Sequence, residues 1–279
     1  MGELPRQFIF DISIHFIGRA LLIRDLVLGR VKRNWNVDSS EQCVSRSVIQ
    51  SGRDTLDAVL VRPSGKTQAA VLICHGIGET VQHWFRVQQL LAAKGIASLV
   101  FDYSGYGRSS GRFSVVQSER DAESAFHSLQ KLVGPIPISL LGFSLGSGIA
   151  TAILSKVPAN GLLLCAAFTS LRSAVCSVGV PRFLQGVVPN IWRAEDVLPT
   201  CKVPVLIVHG EKDRLFPPGM AAELKTLCGP RSEIKIVPNL SHNEPFYRPD
   251  MAYWGLIVSP LLSLAEGKTF QPNAPELLV

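Results

Sequence analysis

Leu140-Leu141-Gly142-Phe143-Ser144-Leu145-Gly146-Ser147-Gly148 passes from an apolar run to a glycine-rich one at a single serine. Ile136 to Leu141 has the unbroken hydrophobicity of a strand covered on both faces, and the spacing predicts a helix beginning near Leu145. A sharp strand-to-helix turn needs small residues on both sides of its apex, because side chains at Gly142 and Gly146 would meet neighbouring backbone. Ser144 is then pushed out of the sheet, in a strained conformation, toward the N-terminus of a helix. Free N–H groups and the helix dipole favour developing negative charge there. That is where a nucleophile belongs, although GxSxG by itself also describes a loop whose serine merely caps the helix.

Working outward, strand and helix alternate. Cys43 to Gln50 and Leu56 to Val61 read as antiparallel strands joined by Ser51-Gly52-Arg53-Asp54, and Ala69 to Cys74 is a buried strand that stops at His75-Gly76-Ile77-Gly78-Glu79. A helix over Val81 to Lys94 ends at Gly95, and a strand over Ile96 to Phe101 leads into Asp102-Tyr103-Ser104-Gly105-Tyr106-Gly107-Arg108-Ser109. A helix over Gln117 to Val133 precedes the elbow, whose own helix runs on to Lys156. Strands at Gly161 to Cys165, Val203 to His209 and Glu233 to Val237 follow, with helices at Pro218 to Cys228 and Met251 to Leu264. This order predicts an α/β fold: a mostly parallel eight-stranded sheet with helices on both faces.

Reactive groups in such a sheet collect beyond the C-terminal ends of the strands. A serine hydroxyl needs an imidazole to take its proton and a carboxylate to orient that imidazole. Of the six histidines, His75 and His209 each precede glycine at a buried strand end, where a structural hydrogen bond is expected, while His15, His83 and His127 lie in helices. His242, on the polar loop Pro238 to Asn243 after the last strand, is the expected base. Asp213, in Gly210-Glu211-Lys212-Asp213-Arg214, is the expected acid; Asp102 and Asp196 compete, with Asp102 the better candidate for fixing a loop. Two N–H donors have to receive an oxyanion: Leu145, next to the serine, and Ile77, with Gly78 as the alternative. Activity should rise with pH as the imidazole loses its proton.

With 279 residues and 47% hydrophobic content, one large core can form. The net charge of +6 comes from scattered basic residues, densest at Arg24, Arg30, Lys32 and Arg33, with no groove-reading motif, so no nucleic-acid partner is expected. Six cysteines stand singly, without CxxC or zinc-type spacing, which points to a reducing, cytoplasmic setting and to no metal. Residues 1–40 form a separate extension. From Phe8 to Val31 it is amphipathic with a wide apolar face, yet Asp11, His15, Arg19, Arg24 and Asp25 interrupt every run long enough to span a bilayer. Two readings stay open for this helix: packing on the domain or a subunit, or peripheral contact with a membrane surface through residues 8–33. Residues 267–279 read as a loosely held tail.

Five marks in this order resemble the α/β-hydrolase superfamily over about Val44 to Leu264. They are His75-Gly76-Ile77-Gly78, Asp102-x-x-Gly105-x-Gly107-x-Ser109, GxSxG around Ser144, Gly210-Glu211-x-Asp213, and Ser241-His242. Within it, the chain is most similar to the serine aminopeptidase S33 and Bem46-like group, which includes lipid and acyl-protein hydrolases; Phe168-Thr169-Ser170-Leu171 adds to the likeness. The resemblance implies a domain over 41–266 with a short helical cap at about 167–200. It also implies a serine hydrolase without a cofactor, acting on an ester or thioester with a hydrophobic group, in which Ser144, Asp213 and His242 form the triad. Phe143, Phe168, Leu171, Phe183 and Phe216 are the expected pocket residues, since an apolar roof suits a lipid-like small molecule. An aminopeptidase is the nearest enzymatic alternative, for which the cap offers only Glu195 and Asp196 as amine-binding carboxylates. A catalytically silent binding protein on the same fold is the alternative of another class.

Overall fold

The computed structural model describes residues 43–179, 186, 188–244 and 252–268. The expected extension, Phe183 and the tail beyond Lys268 lie outside the described residues. Eight strands form one sheet: β1 (Val44–Ser51), β2 (Asp54–Val61), β3 (Ala69–Cys74), β4 (Ile96–Phe101), β5 (Ile138–Phe143), β6 (Gly161–Cys165), β7 (Val205–Gly210) and β8 (Ser232–Val237). Their spatial order is β1-β2-β4-β3-β5-β6-β7-β8. β2 is antiparallel to both its neighbours, and every other pairing is parallel.

Strand ends differ from the expected ones for local reasons. β1 and β2 stay paired as far as Ser51 and Asp54, so the turn shrinks to Gly52-Arg53 with Gly52 at φ +59°. β5 and β7 begin only after Pro137 and Pro204, which lack an N–H for the ladder. β5 also runs two residues further than its apolar stretch, because Gly142 pairs with Cys74 and Leu164, and Phe143 with Cys165.

The helices are α1 (Val81–Ala93), α2 (Val115–Val133), α3 (Leu145–Ile153), α4 (Leu171–Ser177), α5 (Ala194–Val197), α6 (Pro218–Cys228) and α7 (Gly255–Ala265). They cover both sheet faces. Leu72, Leu99, Leu140 and Ile207 are buried beneath Phe126 of α2, Ile149 of α3 and Leu224 of α6. On the other face, Val71, Val100, Leu141 and Leu206 lie beneath Trp84 and Leu91 of α1 and Ile257 and Leu261 of α7. Alternation along each strand divides the core in this way. Among the described residues, no helix is long and apolar enough to cross a membrane.

α4 and α5 follow β6, and α5 packs against α3 and α6. Ser170 caps α4 by accepting the Ser173 N–H at 3.1 Å. The chain returning to α5 is tied down at Trp192, whose indole N–H donates to Glu119 Oε1 at 3.0 Å, while Glu119 Oε2 accepts from Lys156 at 2.9 Å.

Candidate active site

β5 ends and α3 begins at Ser144, which adopts φ 51° and ψ −118°, a region that non-glycine residues seldom occupy. The conformation is held on both sides. The Ser144 N–H donates to the Cys165 carbonyl at 3.1 Å, and the Ser144 carbonyl accepts from the Ser147 N–H at 2.9 Å and hydroxyl at 2.7 Å. A Cβ at Gly146 would fall 1.9 Å from the Cys74 carbonyl oxygen, and one at Gly142 would fall 2.5 Å from that of Gly146. Only glycine lets β3 and α3 approach this closely.

The loop after β8 brings His242 over the elbow. Its Nε2 lies 2.9 Å from Ser144 Oγ and its Nδ1 lies 2.7 Å from Asp213 Oδ2. Asp213, on the loop after β7, is fixed through its other oxygen: Oδ1 accepts the Leu215 and Phe216 N–H groups at 2.9 and 2.8 Å. Burial works to raise the pKa of this carboxyl. The hydrogen bond and charge of His242, the Phe216 amide and His209 outweigh it and hold the carboxyl below the usual range. An ionised carboxylate accepts from Nδ1–H, which leaves the Nε2 lone pair directed at the serine hydroxyl. The arrangement can therefore take a proton from Ser144.

Buried polar groups lie around this site. His209 lies beneath Asp213 with Nε2 2.8 Å from the Phe216 carbonyl, which requires Nε2–H, and burial keeps its imidazole pKa low. His75 is buried against the rings of Tyr103 and Tyr106, at centroid distances of 4.4 and 5.6 Å, and burial pushes its pKa down to about 4. The Tyr103 hydroxyl donates to the His75 carbonyl at 3.1 Å. Asp102 accepts the Val81 N–H at 2.8 Å and the Arg108 N–H at 3.3 Å, joining the start of α1 to the loop after β4. Asp102 thus fixes a loop and does not approach the imidazole at 242. Asp196 is exposed and lies 3.4 Å from Arg193.

Ile77 and Leu145 occupy the loop after β3 and the first position of α3. Among the described residues, neither amide takes an intramolecular hydrogen bond. Phe168, Phe216 and Leu171 gather in one apolar group, with Phe168 and Phe216 edge to face at 5.3 Å and Phe216 at 5.1 Å from the His242 ring. Phe143 lies on the opposite sheet face, against Trp84 at 5.8 Å, and reaches His242 from below at 5.7 Å. The sequence pattern marks Trp192 only as one apolar residue of the expected cap and gives Glu79 and Trp84 no role; a tryptophan at a chain return and an acid next to a glycine pair are the signals that mark them. A separate cavity of about 400 Å³, bounded by Arg46, Val48, Thr55, Asp57 and Arg108, opens at the β1–β2 hairpin away from Ser144. Its Arg46 is already paired with Asp57.

Comparison with known proteins places the chain in a family. Residues 65–194 match the family described as serine aminopeptidase, S33. That span includes Ser144 and stops short of Asp213 and His242. An uncharacterised protein of Mycobacterium tuberculosis is 31% identical over 216 residues, covering 71% of this chain and 75% of its own. Protein bem46 of Schizosaccharomyces pombe is 26% identical over 68% of this chain and 67% of its own. The lysophosphatidylserine lipase ABHD12 of Danio rerio is 29% identical over 60% of this chain and 50% of its own. Among solved structures, an esterase of Pyrococcus furiosus superposes with a TM-score of 0.67 at 17% identity, covering 86% of this chain and 97% of that one.

Proposed function

This chain belongs to the α/β-hydrolase superfamily, in its Bem46-like group, and on that footing we propose that it is a serine hydrolase cleaving carboxylic esters or thioesters with a hydrophobic acyl or alkyl group. The observation that carries this reading is the continuous hydrogen-bonded chain from Ser144 through His242 to Asp213, built on a serine at φ 51°. Ser144 Oγ attacks the substrate carbonyl carbon while its proton passes to His242 Nε2. The carbonyl oxygen becomes an oxyanion facing the free amides of Leu145 and Ile77. The imidazolium, steadied by Asp213, gives its proton to the leaving alcohol or thiol as the tetrahedral intermediate collapses to an acyl-enzyme. Water, relieved of a proton by His242, then attacks the acyl carbonyl, and the carboxylic acid leaves as Ser144 regains its proton.

An apolar substrate portion is supported by Phe168, Phe216 and Leu171, which stand together beside His242. The likeness to the lysophosphatidylserine lipase of Danio rerio supports the same reading. We assign Phe143 to the wall beneath the imidazole. In the same proposal, a hydrolase domain over 41–266, capped at about 167–200, follows an extension over residues 1–40.

The aminopeptidase reading draws on the matched family's description. It is weakened by the cap's acids, since Glu195 accepts from Arg193 and Asp196 lies beside the same guanidinium. A fluorophosphonate probe tests the proposal: labelling of the wild type and its loss in Ser144→Ala are expected. Well-folded wild type that takes no label would overturn it. Parallel rates on p-nitrophenyl esters of increasing chain length and on aminoacyl anilides distinguish the two enzymes, with esters expected to be faster.

A further inference from the structure

We propose that Glu79 is a positioning residue, which fixes the His75–Thr80 loop so that the Ile77 amide is held in place for the oxyanion. The inference rests on the serine hydrolase reading and deepens it. The loop between β3 and α1 carries two glycines, Gly76 and Gly78, and Gly78 has φ +73°. Such a segment has wide conformational freedom unless its peptide groups are tied down. An oxyanion donor that has to be ordered during the reaction contributes less than one ordered beforehand.

Glu79 supplies the tie. The Gly76 N–H donates to Glu79 Oε2 at 2.8 Å, and the Trp84 indole N–H donates to the same oxygen at 2.8 Å. In return, the Glu79 N–H reaches the Gly76 carbonyl at 3.4 Å, closing the turn from both sides. Trp84 is itself immobile: it is buried in the first turn of α1, with its ring edge-on to Phe143 and Trp254 at 5.8 and 6.2 Å. The Gly76 carbonyl that accepts from the Glu79 N–H lies in the same planar peptide unit as the Ile77 N–H, and the Gly76 N–H held by Oε2 fixes the unit before it, so the two contacts together limit rotation of the Ile77 amide. The absence of a Cβ at Gly76 also makes room for the carboxyl, since a Cβ would stand 3.0 Å from Oε1 and 3.2 Å from the Phe143 ring.

Both donors converge on Oε2, which leaves Oε1 able to carry a proton. Burial pushes this carboxyl up to about 7, against the pull of the Gly76 and Trp84 N–H groups. A neutral group with one acceptor oxygen suffices for the geometry, and glutamine reproduces it.

The test uses the full chain with Glu79→Ala and Glu79→Gln. Steady-state kinetics on a p-nitrophenyl ester and hydrogen–deuterium exchange of the peptide spanning residues 75–84 are measured, with thermal melts to check folding. Glu79→Ala should lower kcat about 10- to 100-fold while KM changes less than about threefold, and should speed exchange in the loop. Glu79→Gln should return kcat to within about threefold of wild type and restore slow exchange, because its amide oxygen accepts the same two N–H groups. Unchanged loop exchange in Glu79→Ala overturns the proposal, and so does a glutamine variant as slow as the alanine one. Inactive wild type accompanied by faster loop exchange in Glu79→Ala would overturn the hydrolase reading and support the ordering role.

Discussion

Nε2 of His242 stands 2.9 Å from Oγ of Ser144 although 98 positions of sequence separate them. Three strands, β6 to β8, and helices α3 to α6 fill that interval, so the contact exists only once β5 to β8 have assembled. The side chain of Asp213 then decides which imidazole nitrogen faces the serine.

Asp213→Asn should lower kcat/KM for ester hydrolysis about a thousand- to ten-thousand-fold with the melting temperature nearly unchanged. Oδ1 already accepts two amide hydrogens, from Leu215 and Phe216, so an asparagine has to keep its carbonyl oxygen there. Its NH2 then faces His242 Nδ1, the ring adopts the Nε2–H tautomer, and no lone pair meets Ser144. Steady-state kinetics and the rate of fluorophosphonate labelling check this; a fall of less than about tenfold would contradict it.

Phe168→Leu should shift chain-length preference. Phe168 stands edge-on to Phe216, which touches His242, so shortening it opens space beside the carbonyl site. The ratio of kcat/KM for a long over a short p-nitrophenyl ester should rise about three- to tenfold, on the scale of one or two methylene groups. An unchanged ratio would place the acyl chain elsewhere.

Asp102→Asn should change how stability responds to pH. Burial raises this carboxyl to about 7 from an ordinary value near 4. The folded state therefore retains a proton that the unfolded chain has lost, and stability falls as pH rises from about 4 to about 7, by at most about 1.4 kcal/mol per pH unit for one group. His75, lowered to about 4, has the opposite sign over much of the same window, and Glu79, raised to about 7, has the same sign as Asp102. The difference between variant and wild type isolates Asp102: the variant's relative stability should increase from pH 4 to pH 7 in urea titrations. A constant difference would show that the carboxyl ionises normally in the fold.

Gly146→Ala should destabilise the protein by about 3 kcal/mol or more, because its Cβ would lie 1.9 Å from main-chain oxygen that cannot swing aside. Gly219→Ala, in the first turn of α6 with open space around it, should instead be neutral or stabilise by about 0.5–1 kcal/mol. Thermal and urea unfolding of the two variants give the comparison.

Much of this was readable from local pattern. The apolar runs of β3 to β7 are covered on both faces, so their hydrophobicity is unbroken and their type unambiguous. The residues that meet at Ser144 were named from their places just beyond strand ends, a rule set by sheet topology. Phe143 shares a sheet face with Leu141, two residues before it, as strand periodicity requires, whereas Phe168 and Phe216 belong to the other face. Other features depend on distance through the fold. Trp192 meets Glu119 across 73 positions, and no spacing rule connects the residues before α5 to the second turn of α2. Glu79 looked like one more polar loop residue, because its role depends on where α1 presents Trp84.

The nucleophile's backbone is anchored to β6 through the Cys165 carbonyl, and its helix rests directly on β3. The reactive centre therefore has no independent melting step: heat should destroy turnover and near-ultraviolet ellipticity along one sigmoid, and a preparation that has kept its secondary structure and aromatic signal should have kept its chemistry too.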